Sequence, residues 1–176
     1  MQSRLRAWER LGARQAFIGP SPVDQGAFDT MQILPPSAPV IRGDELWFYY
    51  TGIKYRVMPQ DADPRHGAVC LAVLRRDGFV SLDARDDPGV LLTRPFVVRG
   101  ARLAVNVDAA NGAMDVAVLD LKGRVLATSK PVLGDWPSIP VHWQTGSLAE
   151  LEQRPVRLRF TLRNAKLYSF WLCDSS

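Results

Sequence analysis

Apolar and polar positions alternate over most of the second half of this chain, with the period of two that marks half-buried strands. In residues 102–108, Leu103, Val105 and Val107 point one way. Val116 and Val118 do so in residues 114–119, and Val156, Leu158, Phe160 and Leu162 do so in residues 155–163. Arg157, Arg159 and Arg163 occupy the opposite face of that last run. Asn111-Gly112 between two such runs predicts a hairpin turn. Leu121-Lys122-Gly123 turns the chain into a strand at 124–128, and Asn164-Ala165 turns it into one at 166–173. Strands at this spacing predict an antiparallel, jelly-roll-like β-sandwich. One helical signal interrupts it at 147–152, where Ser147 is placed to cap and Glu150 follows three residues later.

The first half reads differently. A strand at 31–34 runs into Pro35, Pro36 and Pro39, which end it. The next, at 45–51, has Leu46, Phe48 and Tyr50 on one face and Trp47, Tyr49 and Thr51 on the other. With both faces apolar or aromatic, such a strand is expected to be covered on both sides, and so is the run at 67–74. Arg76-Asp77-Gly78 predicts a hairpin into residues 79–82. Leu5, Trp8 and Leu11 recur at a spacing of three, which fits a short amphipathic helix or a loop carrying a docking Trp. The acidic loop 83–89 marks a change of composition, so the expected domains are residues 1–84 and 85–176. The fold class expected is all-β throughout.

Composition supports a folded chain. Of 176 residues, 47% are hydrophobic and 23% charged, a balance that excludes disorder, collagen and coiled coil. Thirteen prolines and thirteen glycines spread along the length punctuate short strands. The net charge of +4 suggests a basic partner surface until the charges are placed. Only residues 4–14 are locally one-sided, through Arg4, Arg6, Arg10 and Arg14. Nucleic acid is therefore not an expected partner. The strand face bearing Arg157, Arg159 and Arg163 is the one other basic surface. No stretch approaches the length of a membrane span, and the first 25 residues hold no apolar run of signal-peptide length. A soluble chain without a membrane partner is expected, and its compartment stays open. Cys70 and Cys173 lie in apolar runs without metal-ligand spacing, which favours two buried free thiols over a disulfide.

Motifs for cofactor chemistry are missing: there is no phosphate-binding glycine loop, no GxSxG, no HExxH and no dinucleotide fingerprint. No cofactor, no metal site and no catalytic residue is assigned. His66 falls in a proline-flanked loop and His142 near a strand start, both read as solvated. Paired carboxylates would suit a glycosidase, and Asp24, Asp29, Asp44 and Glu45 are the early candidates. Asp44 and Glu45 are adjacent and so point apart, whereas Asp29 enters a strand between Phe28 and Thr30.

Two segments carry a family resemblance. Gly26-Ala-Phe-Asp-Thr-Met-Gln32, followed by a proline run and by residues 43–56, GDELWFYYTGIKYR, resembles the last blade of the five-bladed propeller in invertase- and arabinanase-like glycoside hydrolases. Residues 67–82 resemble the closing strands of that blade, and residues 95–106 and 156–171 resemble the β-sandwich appended to it. The resemblance covers nearly the whole chain and specifies no substrate. It implies a partial propeller blade followed by a sandwich, the C-terminal part of a larger enzyme. The family's nucleophile and acid/base carboxylates belong to blades for which a chain of this length has no room, so no hydrolase activity is expected of it alone.

In such propellers the innermost strand lines the central funnel. The resemblance therefore places Asp29 and Gln32 near bound sugar, with Lys54, Tyr55 and Arg56 on the rim. The plainer alternative has Asp29 capping a turn and Tyr55 packing between blades. In the sandwich, Trp136, Trp143 and Tyr168 are candidates for stacking on sugar rings, or else for core packing. Expected partners are carbohydrate, the remaining propeller blades, or a second copy meeting an exposed blade face. A structural or interaction sandwich with no ligand of its own is the rival reading.

Overall fold

A computed structural model describes residues 16–35, 38–55 and 64–174. The described chain is all-β and its sheets are antiparallel and not closed into a barrel. Its thirteen strands are β1 Gln32–Leu34, β2 Val40–Arg42, β3 Glu45–Ile53, β4 Gly67–Arg75, β5 Leu82–Ala84, β6 Gly89–Leu92 and β7 Phe96–Val97, then β8 Arg102–Leu119, β9 Val125–Ser129, β10 Val132–Pro140, β11 Trp143–Thr145, β12 Pro155–Arg163 and β13 Ala165–Cys173. The first four form one sheet, in which β3 carries β1, β2 and β4, and the other nine form a second. The helix considered for residues 1–15 lies outside the described residues. Two compact units result, residues 1–40 with 47–73, and residues 41–46 with 74–176.

In the first unit the sheet is two-faced because its sequences are. Gly52, Tyr50 and Phe48 point to the covered side, where the Phe17 ring meets Phe48 edge-on at 5.1 Å. A side chain at Gly52 would come within 2.9 Å of the Cys70 sulfur, so Cys70 shares that side. Alternation then turns Val69, Leu71 and Val73 to the opposite side. The register Leu34↔Thr51 adds Leu34 to the face of Thr51, Tyr49 and Trp47. That face is open: Val69 is 76% exposed, Tyr49 47%, and Leu34, Leu71 and Val73 are also exposed. Both β3 and β4 thus depart from the expected double cover. Their patterning is that of a strand covered twice, but among the described residues only one cover exists.

The second unit is organised by β8, an 18-residue strand. Residues 117–119 pair with β9 and 104–114 with β10 on one edge. On the other edge, 113–119 pair with β12 and 102–108 with β13. Three long runs therefore lie side by side, and all three are irregular at one level. The buried set in β8 switches from Leu103, Val105, Val107 and Ala109 to Met114, Val116 and Val118, which requires an extra residue between them. β10 shifts register between Val132 and Gly134, and Gly134 has φ 88°. Asn164, between β12 and β13, has φ 46°. One sheet thus bends across itself to make both layers around a common core.

The hairpin expected at Asn111-Gly112 is absent, because β8 runs straight through it. Gly112 is needed for another reason: a side chain there would collide with the carbonyl oxygens of Arg163 and Asn164. The turn at 75–78 forms, with Gly78 N–H donating to Arg75 O at 3.0 Å. It does not close a hairpin, however, since β5 pairs with β13. The turn at 120–124 does close one, with the Asp120 carboxylate accepting from the N–H groups of Lys122 and Arg124 at 2.8 Å each. The helical signal at 147–152 is a single 3-10 turn, Ala149–Leu151. Half of its capping box is present, Glu150 N–H to Ser147 Oγ at 3.3 Å. The inward residues read from the sequence in β8 and β12 are all buried, Phe160 among them. Both cysteines are free and only partly buried, less enclosed than expected.

Candidate functional site

The residues singled out in the first unit gather around the start of β1 and the end of β3. Asp29 comes just before β1, and its carbonyl accepts from the Ser21 N–H at 3.1 Å. Its carboxylate turns inward, is 6% exposed, and accepts a 2.6 Å hydrogen bond from the Tyr50 hydroxyl. Gly52 makes room for this, since a side chain there would stand 2.7 Å from the Asp29 Cβ. Hydrogen bonds from Tyr50 and Ser21 hold the Asp29 carboxyl below the usual carboxylate range. The same bond, with burial, pushes the Tyr50 hydroxyl well above its ordinary value. The pair is therefore a carboxylate and a protonated phenol that satisfy one another.

The loop before β1 and the residues that follow β3 line a cleft of about 550 Å³. Asp24, Thr30, Met31, Lys54 and Tyr55 line it, with Val23, Gly26 and Ala27. Positive φ angles at Asp24 and Gly26, 71° and 73°, let the loop double back to form its wall. Lys54 follows β3 directly; its N–H donates to His66 O at 2.8 Å, and its carbonyl accepts from Thr30 Oγ1 at 3.4 Å. Its ammonium sits 4.3 Å from the centre of the Phe28 ring, a cation–π contact. The cleft offers one carboxylate, one ammonium and two hydroxyls on an otherwise apolar wall. That suits a small ligand held by a few polar contacts.

Of the sequence candidates, Lys54 and Tyr55 come together on this lining. Asp29 lies outside the lining, held by Tyr50, and Gln32 stands exposed on β1 opposite Ile53. Arg56 lies outside the described residues. The aromatic candidates of the second unit sit on three different strands. Trp136 on β10 is 46% exposed and donates its indole N–H to Leu133 O at 2.7 Å. Trp143 on β11 packs against the core. Tyr168 stands at a bulge in β13 with the Arg75 guanidinium 4.4 Å over its ring, so one of its faces is occupied. Asp24, one of the carboxylates considered from the sequence, does line the cleft, whereas Thr30 was not singled out and Tyr50 was given no polar role; the Asp-x-Gly spacing of Asp24 and Gly26 is the signal that points to the loop.

Among the described residues, no three His, Cys, Asp or Glu side chains come together as a metal would need. No described helix is long and apolar enough to cross a membrane. No family model, no curated protein and no solved structure matches this chain.

Proposed function

We propose that this chain is a non-catalytic docking part of a carbohydrate-active propeller assembly, its first sheet packing face to face against the sheet of a propeller. One observation carries the reading: the open face of the first unit presents Leu34, Tyr49, Val69, Leu71 and Val73, all exposed. Contiguous apolar sheet surface of this kind marks an interaction site. Covering five such side chains is worth on the order of 10 kcal/mol at about 1.5–3 kcal/mol each. The likeness of residues 26–32 and 43–56 to a closing blade supplies the kind of partner, another twisted antiparallel sheet stacked about 10 Å away.

The test mixes the full chain with an invertase- or arabinanase-like propeller domain lacking its last blade, and follows complex formation by size-exclusion chromatography with light scattering. The expected result is a one-to-one complex that Leu71→Glu weakens by about a hundredfold, since it buries an unpaired charge. No complex, or a complex indifferent to Leu71→Glu, overturns the reading. A homodimer abolished by the same substitution also overturns it, because the face would then belong to a second copy.

A further inference from the structure

The second unit holds a pocket that the docking reading does not use. It is lined by residues of β10 and β13 and by the turn after β4, and β8 pairs with both strands. In β8, Ala104 and Asn106 alternate with the core residues Leu103, Val105 and Val107, yet they too are buried, Asn106 at 1% exposure. Ser169 and Trp171 are their cross-strand neighbours on β13. The turn after β4 covers them. Asn106 Nδ2 donates to Arg76 O at 2.7 Å, and Arg76 N–H donates to Asp44 O at 2.7 Å. Ser169 Oγ reaches the Asp77 carboxylate at 3.4 Å. Arg75, next in the turn, is fixed by Asp135 at 2.6 Å.

The resulting cavity, about 440 Å³, is lined by Asp44, Arg76, Asp77, Ser138, Ser169 and Trp171, among others. Trp171 supplies a partly buried aromatic wall. Around it stand two carboxylates that accept, a guanidinium that donates, and two hydroxyls that do both. The Asn106 Oδ1 atom, whose amide is tied to the same turn, is buried with no hydrogen-bond partner among the described residues, an acceptor left over under that turn. Asp77 is held at φ 56°, a conformation a non-glycine residue adopts at a cost and one that collects at binding sites. A strongly charged ligand would meet both signs in this lining. A ring with an apolar C–H face and hydroxyls that donate and accept would be matched on every side.

We infer that this pocket binds a neutral polyhydroxylated ring, the chemistry of a single sugar unit, with Trp171 stacking on its apolar face and Asp77, Asp44 and Arg76 engaging its hydroxyls. It lies wholly within the second unit and is independent of the open face of the first. The experiment is saturation-transfer NMR on the full chain with D-glucose, D-galactose, D-fructose, D-xylose, L-arabinose and their disaccharides, each titrated to about 50 mM. The expected result is saturable transfer from at least one of them. Asp77→Gly keeps the left-handed turn and is expected to weaken that sugar by about tenfold, the loss of one or two net hydrogen bonds. Trp171→Leu keeps an apolar side chain but removes the aromatic face and is expected to weaken it at least as much, with the thermal melt reporting that both variants stay folded. No saturable transfer from any sugar overturns the inference, and so does binding that either folded variant leaves unchanged.

Discussion

The two sheets of this protein are both built on apolar strands and end in opposite situations. In the second unit, β8, on either side of its bend, and β12 send alternate residues into a shared core, and their other face is mixed, with charged Asp115, Arg157, Arg159 and Arg163 and with Asn106 tied to the turn at 75–78. In the first unit, β3 and β4 are apolar on both faces, and one face has no cover among the described residues. The lesson is that patterning records what a strand was selected to touch, inside the chain or beyond it. A strictly alternating strand can be satisfied by its own domain. A strand apolar on both faces calls for a second layer, wherever that layer comes from.

The sharpest way to break this comparison is a pair of substitutions of similar severity. Phe160→Ala in the core of the second unit should cost about 3–5 kcal/mol, read as a lowered urea midpoint. Leu71→Lys on the open face of the first unit should stay within about 0.5 kcal/mol while reducing the binding of a hydrophobic dye. A large loss of stability from Leu71→Lys would show that the face is covered in solution. Next in size is Gly112→Ala. With the carbonyls of Arg163 and Asn164 in the way, the three aligned bends must shift, at about 2–3 kcal/mol by the same denaturation. A neutral outcome would mean that the bend is looser than its geometry.

The smallest effect concerns the buried pair of the first unit. Tyr50→Phe removes the hydrogen bond to Asp29 and should cost about 1–2 kcal/mol at neutral pH. Because the Asp29 carboxyl is depressed from 3.8, its contribution is complete above that value and fades as pH falls through the folded one. Because the Tyr50 hydroxyl is raised from 10.0, its contribution is complete below that value and fades as pH rises toward the folded one. Melting temperature against pH should therefore show a plateau between the two, and Tyr50→Phe should flatten both limbs. Unchanged limbs in the variant would assign the pH dependence to other groups.

Much of the fold was legible. Inward positions from Leu103 to Leu162 follow directly from alternation, and the turn at Asp120 to Arg124 follows from its Gly123. What was not legible lies where local chemistry and long-range packing disagree. Asn111-Gly112 has the composition of a tight turn, but its glycine serves the close passage of another strand. β10 was missed because Gly134, Pro137 and Pro140 hide its period, and those residues are tolerated because, among the described residues, no other strand flanks its far edge. The candidate site was half visible. Lys54 and Tyr55 do share a cleft, while Asn106, the polar outlier in the middle of an apolar strand, drew no attention despite pointing to the covered outer face.

The continuous passage of β8 through both layers of the second unit has a consequence for how that unit comes apart. In a sandwich made of two separate sheets, the layers meet only through side chains, and one can peel from the other with its ladder intact. Here one strand belongs to both layers, paired on both edges before and after its bend at residues 110–112, so neither layer can leave without drawing on the other. The second unit should therefore open as a single cooperative block, with the ladder-bonded amides within 103–108 and 114–119 exchanging only through its global unfolding.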